Sequence, residues 1–307
     1  MIIITDNVSF TENFFGKEFK WEIISDNTFN ETETVCNEIF ERKIIWQTEE
    51  PEIQFWEYLF ICEESLKSQY DIIIKLLDKN KINFSSCLCI AGSGKNFHGN
   101  RNRYWESVKG NIHLSALIRP DCRIENFHTG IVVASAVAVI RTIDEIPELE
   151  NKASIKWVND ILIEGEKVGG IIAHAKTEGE IINSLVIGIG LNIFAAPCIK
   201  SDSIVHNSTC ISNFIKKNTI SLKSVFYSLV KNLYLDYENL KYEKYNSILN
   251  FYRNRSLISG KKVKVISDPL DGESTEIYEG IVEKIGENLE LYFQDKKTPV
   301  TKGRLII

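Results

Sequence analysis

Three apolar runs between residues 155 and 192, punctuated by glycine and broken by one lysine, constrain this chain more than any other stretch. The first is Ile155-Lys156-Trp157-Val158-Asn159-Asp160-Ile161-Leu162-Ile163. A charged turn, Glu164-Gly165-Glu166-Lys167, leads into the second, Val168-Gly169-Gly170-Ile171-Ile172-Ala173. The third is Leu185-Val186-Ile187-Gly188-Ile189-Gly190-Leu191-Asn192-Ile193. Short runs rich in β-branched residues, bounded by glycine and polar turns, predict a buried antiparallel meander. Lys156 sits among apolar neighbours, a position where an ammonium calls for an anionic partner. The residues alone fit equally a surface lysine at a strand edge, with Asn159-Asp160 as a plain turn.

Taken together, Lys156-Trp157-Val158-Asn159-Asp160, Gly169-Gly170-Ile171-Ile172 and Gly188-Ile189-Gly190-Leu191-Asn192 resemble the central block of the biotin–protein ligases. That family has Lys-Trp-Pro-Asn-Asp, a Gly-Gly strand and a Gly-x-Gly-x-Asn strand in the same order. The resemblance implies an α+β fold: a central mixed, mostly antiparallel sheet flanked by helices, with a small C-terminal Src-homology-type β-barrel. It also implies the chemistry. Biotin is activated by ATP and Mg²⁺ as biotinyl-5'-AMP, pyrophosphate leaves, and the acyl group passes to a lysine of a biotin carboxyl carrier protein or carboxylase biotin domain.

Lys156 would then bridge the biotin carboxylate and the α-phosphate, two anions whose approach needs buried positive charge. Asn159 and Asp160 would orient the nucleotide or its Mg²⁺, Asn192 would lie near the adenine, and Gly170 would face biotin.

The strand Ser86–Ala91 runs into Gly92-Ser93-Gly94-Lys95-Asn96-Phe97-His98-Gly99-Asn100-Arg101-Asn102-Arg103-Tyr104-Trp105. Glycines let backbone N–H groups converge and the basic residues supply charge, so such a loop can wrap an anion. It lacks the G-x4-G-K-[ST] of a Walker A loop. A mobile surface loop fits the same residues. The family carries Gly-Arg-Gly-Arg-Arg-Gly-Arg-x-Trp at this place. By that likeness Gly92, Ser93, Gly94, Lys95 and Trp105 would contact biotin, Lys95 and Arg103 would assist catalysis, and Arg101 and Arg103 would hold phosphates. Two departures stand out: several extra residues before Trp105, and Cys89 where the family commonly has a biotin-facing glutamine. The family's Ser-Thr-Gln-type triplet has its nearest counterpart in Lys67-Ser68-Gln69, which assigns Ser68 and Gln69 to biotin. Ser68 also reads as the N-cap of a helix.

Around this block, Phe55–Cys62 reads as a strand with Glu63-Glu64-Ser65 as its exit. Gly110–Arg119 is a half-buried strand in which His113 packs rather than ligates. Phe127–Ile143 is a buried helix, since its apolar run is too long for a strand. Ile211–Lys217 and Leu222–Tyr252 read as helical, and residues 260–307 as short strands turned at Asp271-Gly272 and Glu287-Asn288. The expected division is 1–56 as an N-terminal extension of unassigned role, with a helix near Thr34–Ile45, then 57–258 as the catalytic domain and 259–307 as the barrel.

Composition narrows the rest. A formal charge of −6 over 307 residues argues against broad phosphate neutralisation, and the N-terminal segment lacks a basic recognition helix, so no DNA partner is expected. Seven cysteines without paired C-x2-C spacing favour reduced thiols over a zinc site or disulfides. No run approaches the roughly 20 apolar residues of a membrane span. The expectation is a cytoplasmic enzyme with no membrane partner and a homodimer within reach. The rivals are a lipoate or octanoate ligase or transferase of the same fold, and a non-catalytic biotin- or adenylate-binding module.

Overall fold

A computed structural model describes residues 1–24, 32–40, 44–198, 207–216, 219–242, 244–267 and 275–306. In chain order the first half contains β1 (Ile2–Thr5), α1 (Val8–Phe15), β2 (Glu22–Ile23), α2 (Glu33–Ile39), β3 (Trp46–Glu49), β4 (Tyr58–Ser65), α3 (Gln69–Asp78), β5 (Ser86–Gly94), β6 (Ile112–Ile118) and α4 (Phe127–Asp144). The meander follows as β7 (Ala153–Lys156), β8 (Asp160–Ile163), β9 (Glu166–Glu178) and β10 (Ile181–Leu191), and then come α5 (Leu222–Lys241) and α6 (Tyr245–Asn254). The tail holds β11 (Lys262–Ile266), β12 (Glu276–Ile285), β13 (Leu291–Phe293), β14 (Lys296–Val300) and β15 (Arg304–Ile306).

Strands β1–β10 form one sheet in the order β2-β3-β1-β4-β5-β6-β10-β9-β8-β7. Only β1–β4 and β4–β5 pair in parallel; the other ladders are antiparallel, as expected of a mixed, mostly antiparallel sheet. The expected first run of the meander is in fact two strands. Trp157-Val158-Asn159, with a cis Trp157–Val158 peptide, turns the chain between β7 and β8. The exit expected at Glu63–Ser65 is still strand, because Glu64 and Ser65 pair with Ser93 and Gly94. The segment at 211 is a single 3-10 turn, Ile211–Phe214, and residue 217 lies outside the described residues, as does the turn expected at Asp271-Gly272.

Residues 1–56 acquire a structural role. β1 lies inside the sheet between β3 and β4, so this segment completes the sheet. Glu50, fully buried, is held there by Lys17 Nζ and by the Tyr227 hydroxyl of α5, each at 2.7 Å.

Period-two alternation sorts the two faces. On β10, Leu185, Ile187, Ile189 and Leu191 enter the core under α4, while Val186, Gly188 and Gly190 face the other way. α4 is long and apolar enough to cross a membrane, yet it is buried between this face and α5 and α6. On the opposite face, α3 packs over β5, β6 and β10. Ser68 caps it by accepting from the Asp71 N–H at 3.4 Å, and Ile72, Ile73, Leu76 and Leu77 bury at helical spacing. Beyond α3 the glycines of β9 and β10 leave that face hollow.

The tail forms a separate five-stranded antiparallel sheet, β14-β13-β12-β11-β15. It is fastened through its 285–289 turn: Trp157 Nε1 donates to Leu289 O at 2.7 Å, Arg253 Nε to Ile285 O at 2.8 Å, and the Tyr245 hydroxyl to Glu287 O.

Candidate active site

The hollow is a cavity of about 690 Å³ floored by one row of the sheet. Strand register aligns His113 with Gly190, Gly190 with Gly170, Gly170 with Asp160, and Asp160 with Lys156. All five line the cavity. Glycine is needed at 190 because the Trp105 indole lies against it. A β-carbon at Gly190 would come within 2.3 Å of the indole, and one at Gly170 within 3.5 Å.

The indole is oriented as well as seated. Its Nε1–H points to His113 Nδ1 at 3.4 Å, while His113 Nε2 faces the Val108 carbonyl at 3.2 Å. A carbonyl only accepts, so Nε2 carries the proton and Nδ1 is left to accept from Trp105. Burial pushes the His113 imidazole down to about 4, with the Val108 carbonyl opposing, so the ring is neutral at physiological pH. The expectation of a packed strand histidine holds, with the addition that its ring sits on the cavity wall.

Lys156, only 6 % exposed, projects from the far end of the row. Burial first, then the neighbouring charges of Lys167, Arg304 and Arg103, lower its pKa from 10.5 to about 8, against the opposing pull of Asp160. Asp160 gives its carboxylate to Lys167 at 2.6 Å, and Lys167 Nζ also lies 5.5 Å over the Trp105 ring. Among the described residues the wall carries Arg101, Arg103, Lys156, Lys167, Lys302 and Arg304 against the acidic Glu106 and Asp160. In a chain of formal charge −6 this concentration of positive charge marks a site for an anion.

Of the residues expected to act, Ser68, Arg101, Arg103, Trp105, Lys156, Asn159, Asp160, Gly170 and Asn192 share this wall. Asn159 donates its side-chain amide to Ile171 O, fixing β9 beside Gly170. Asn192 donates to Thr209 O at 3.0 Å and accepts from Asn111 at 3.4 Å, which binds the loop after β10 to the sheet.

The other six do not line the cavity, for identifiable reasons. Cys89 faces the same side as Ser115, but α3 covers it, and it is buried with Cys62 and Cys87. That burial also pushes its thiol well up. Gln69 is turned into the core, where its amide N–H approaches Cys62 Sγ at 3.3 Å and Ile90 O at 3.4 Å. Gly92, Ser93 and Gly94 end β5. A β-carbon at Gly92 would strike the Phe10 ring and one at Gly94 the Phe97 ring, so these glycines serve packing. Lys95 is exposed, and its backbone N–H donates to Ser65 O.

The sequence reading missed Lys167, His98, Arg304 and Lys302. Lys167 read as part of a charged turn, and only the β8–β9 register brings it to Asp160. Arg304 and Lys302 come from the tail, whose alternation gave no hint that its last strand borders the cavity.

Residues 94–192 match the family model described as the biotin/lipoate A/B protein ligase family. The chain is 34 % identical over 115 residues to the bifunctional ligase/repressor BirA of Bacillus subtilis, covering 37 % of this chain and 34 % of that protein. It is 30 % identical over 102 residues to the biotin–[acetyl-CoA-carboxylase] ligase of Paracoccus denitrificans, covering 32 % and 41 %. Those alignments span well under half the length of either relative. The fold superposes on the biotin protein ligase from Aquifex aeolicus in complex with biotin and ATP, with TM-score 0.62, 18 % identity, and coverage of 81 % of this chain and 98 % of that one. The segment that matches this family model, from the end of β5 to Asn192, supplies most of the cavity floor.

Proposed function

We propose that this protein is an ATP-dependent biotin–protein ligase. It activates biotin as biotinyl-5'-AMP, releases pyrophosphate, and transfers the acyl group to a lysine of a biotin carrier domain. The observation that carries the reading is the crowding of Lys156, Lys167, Arg103 and Arg304 at one buried cavity of an otherwise acidic chain. A carboxylate is a poor electrophile and must meet the α-phosphate to be activated. Preorganised cations in a water-poor site favour both that approach and the charge that develops as the new C–O–P bond forms and pyrophosphate departs.

Lys156 takes the junction between carboxylate and phosphate, with Arg101, Arg103 and Arg304 around the remaining phosphate oxygens. Trp105, seated on Gly170 and Gly190, supplies an apolar wall and keeps water from the anhydride. Asp160 is the wall carboxylate that would hold a magnesium ion accompanying the triphosphate, an ion that would help neutralise the phosphate charge.

Biotin is favoured over lipoate by the named relatives, and catalysis over passive binding by the cations at the junction. We read the C-terminal sheet as the Src-homology-type barrel. The short outer strand Glu22–Ile23 is the edge through which a homodimer would pair. The free thiols and acidic surface favour a cytoplasmic protein without DNA or membrane partners. The test is exchange of labelled pyrophosphate into ATP with biotin, lipoate or octanoate and no acceptor present. Exchange with biotin alone, lost in Lys156→Ala, is expected. Exchange with lipoate or octanoate instead, or binding of biotin without exchange, overturns the proposal.

A further inference from the structure

The residues inserted before Trp105 build a small structure of their own. Gly99 N–H donates to Arg103 O at 2.7 Å, Trp105 N–H donates to Phe97 O at 2.9 Å, and His98 bridges Tyr104, so residues 97–105 form a two-stranded hairpin. Arg101 and Arg103 lie at its tip on the cavity wall. At its base the hairpin is tied to the body by Lys95 N–H to Ser65 O and by Asn96 to Leu66 O. Nearer the tip, the imidazole of His98 reaches across to α3. Its Nε2 lies 2.9 Å from both carboxylate oxygens of Asp71, and its Nδ1 lies 3.0 Å from Gly99 O.

With acceptors at both nitrogens, the ring is satisfied in full only as the doubly protonated imidazolium. Asp71 is itself fixed, since it stands in the first turn of α3 with its N–H capped by Ser68, which also lines the cavity. The ion pair therefore couples the wall formed by Ser68 and Tyr70 to the strand pair that carries the two arginines.

We propose that His98 and Asp71 are a positioning pair that holds the Arg101–Arg103 hairpin closed over the cavity before any ligand arrives. This rests on the reading of the cavity as the activation site, but the contact can be tested without it. A pair of this kind, partly exposed and charge-assisted, shifts a local opening equilibrium by about fivefold.

Limited trypsin digestion of the full chain without ligand, followed by mass spectrometry, reports cleavage after Lys95, Arg101 and Arg103. Asp71→Asn and His98→Ala should each raise cleavage there about fivefold, with unchanged thermal unfolding. The reversed pair, Asp71→His with His98→Asp, should restore protection. Cleavage at the wild-type rate in the single variants, or no recovery in the reversed pair, would overturn the proposal. In pyrophosphate exchange the same single variants should raise KM for ATP with kcat changed less than about twofold, the signature of lost positioning. A fall in kcat at unchanged KM would overturn it. Loss of exchange in the wild type itself would refute the ligase reading and leave the digestion result standing.

Discussion

Lys156 is held at a cost that only an anion removes. The drop in its pKa from 10.5 to about 8 corresponds to roughly 3 kcal/mol of bias against the charged form. Above pH 8 most of the free protein has a neutral Lys156 and lacks the charge that the proposed activation needs. The competent fraction is about one half at pH 8 and about one eleventh at pH 9, so kcat/KM should fall about fivefold over that interval. The substrate's carboxylate and phosphate oxygens are already ionised there and add no limb of their own. The assay is biotin-dependent pyrophosphate exchange from pH 7 to 9.5. Lys156→Arg keeps its charge throughout and should flatten the limb. Lys156→Ala should lower kcat/KM by about 10²–10³, the usual loss when one preorganised donor is removed. The linkage has a fixed sign as well. Between about pH 8 and 10.5 the unfolded chain holds a proton that the folded one has released, so this group's contribution to stability rises with pH across that window. A limb near pH 8 that persists in Lys156→Arg would refute the reasoning.

Three further outcomes follow from the packing. Gly190→Ala places a methyl inside the Trp105 indole, so it should cost about 1–3 kcal/mol in denaturant unfolding and shift the tryptophan emission; an unchanged spectrum would mean the indole sits elsewhere. Lys17→Met leaves the buried Glu50 carboxylate with the Tyr227 hydroxyl and the Glu52 N–H but no cation, and with Lys17 partly exposed the loss should be about 1–3 kcal/mol by thermal unfolding. Deleting residues 1–24 removes an inner strand, so the truncated chain should show no cooperative unfolding transition, whereas a detachable extension would leave one intact.

What was readable from the sequence depended on distance along the chain. The meander, the Ser68 cap and the α4 helix follow from local periodicity and end signals; the cap and helix stand where the pattern puts them, while the first run of the meander divides at Trp157-Val158-Asn159 into two strands. Lys156 stood out because a charge in an apolar run is an anomaly that needs no partner to be noticed. Lys167 and Arg304 were hidden because each looks ordinary in its own neighbourhood and matters only through register or through docking of the C-terminal sheet. Cys89, Gln69 and the Gly92–Lys95 stretch were assigned by likeness of letters. No letter shows that α3 covers β5, or that Phe10 and Phe97 occupy the space beside those glycines. The inserted hairpin was visible as extra length, but its tie to Asp71 spans 27 residues and has no local signature.

Neighbouring residues at the end of β7 serve opposite masters. Lys156 faces the cavity, while Trp157 donates to the Leu289 carbonyl of the tail sheet, which returns Arg304 to the same cavity. The tail is thus a bracket whose bolt passes through the residue next to the central cation. Exchanging it for the tail of a relative would re-aim Lys156 and Arg304 together. A chimera of this protein should therefore be cut before Ala153, moving strand β7 and everything after it as one cassette.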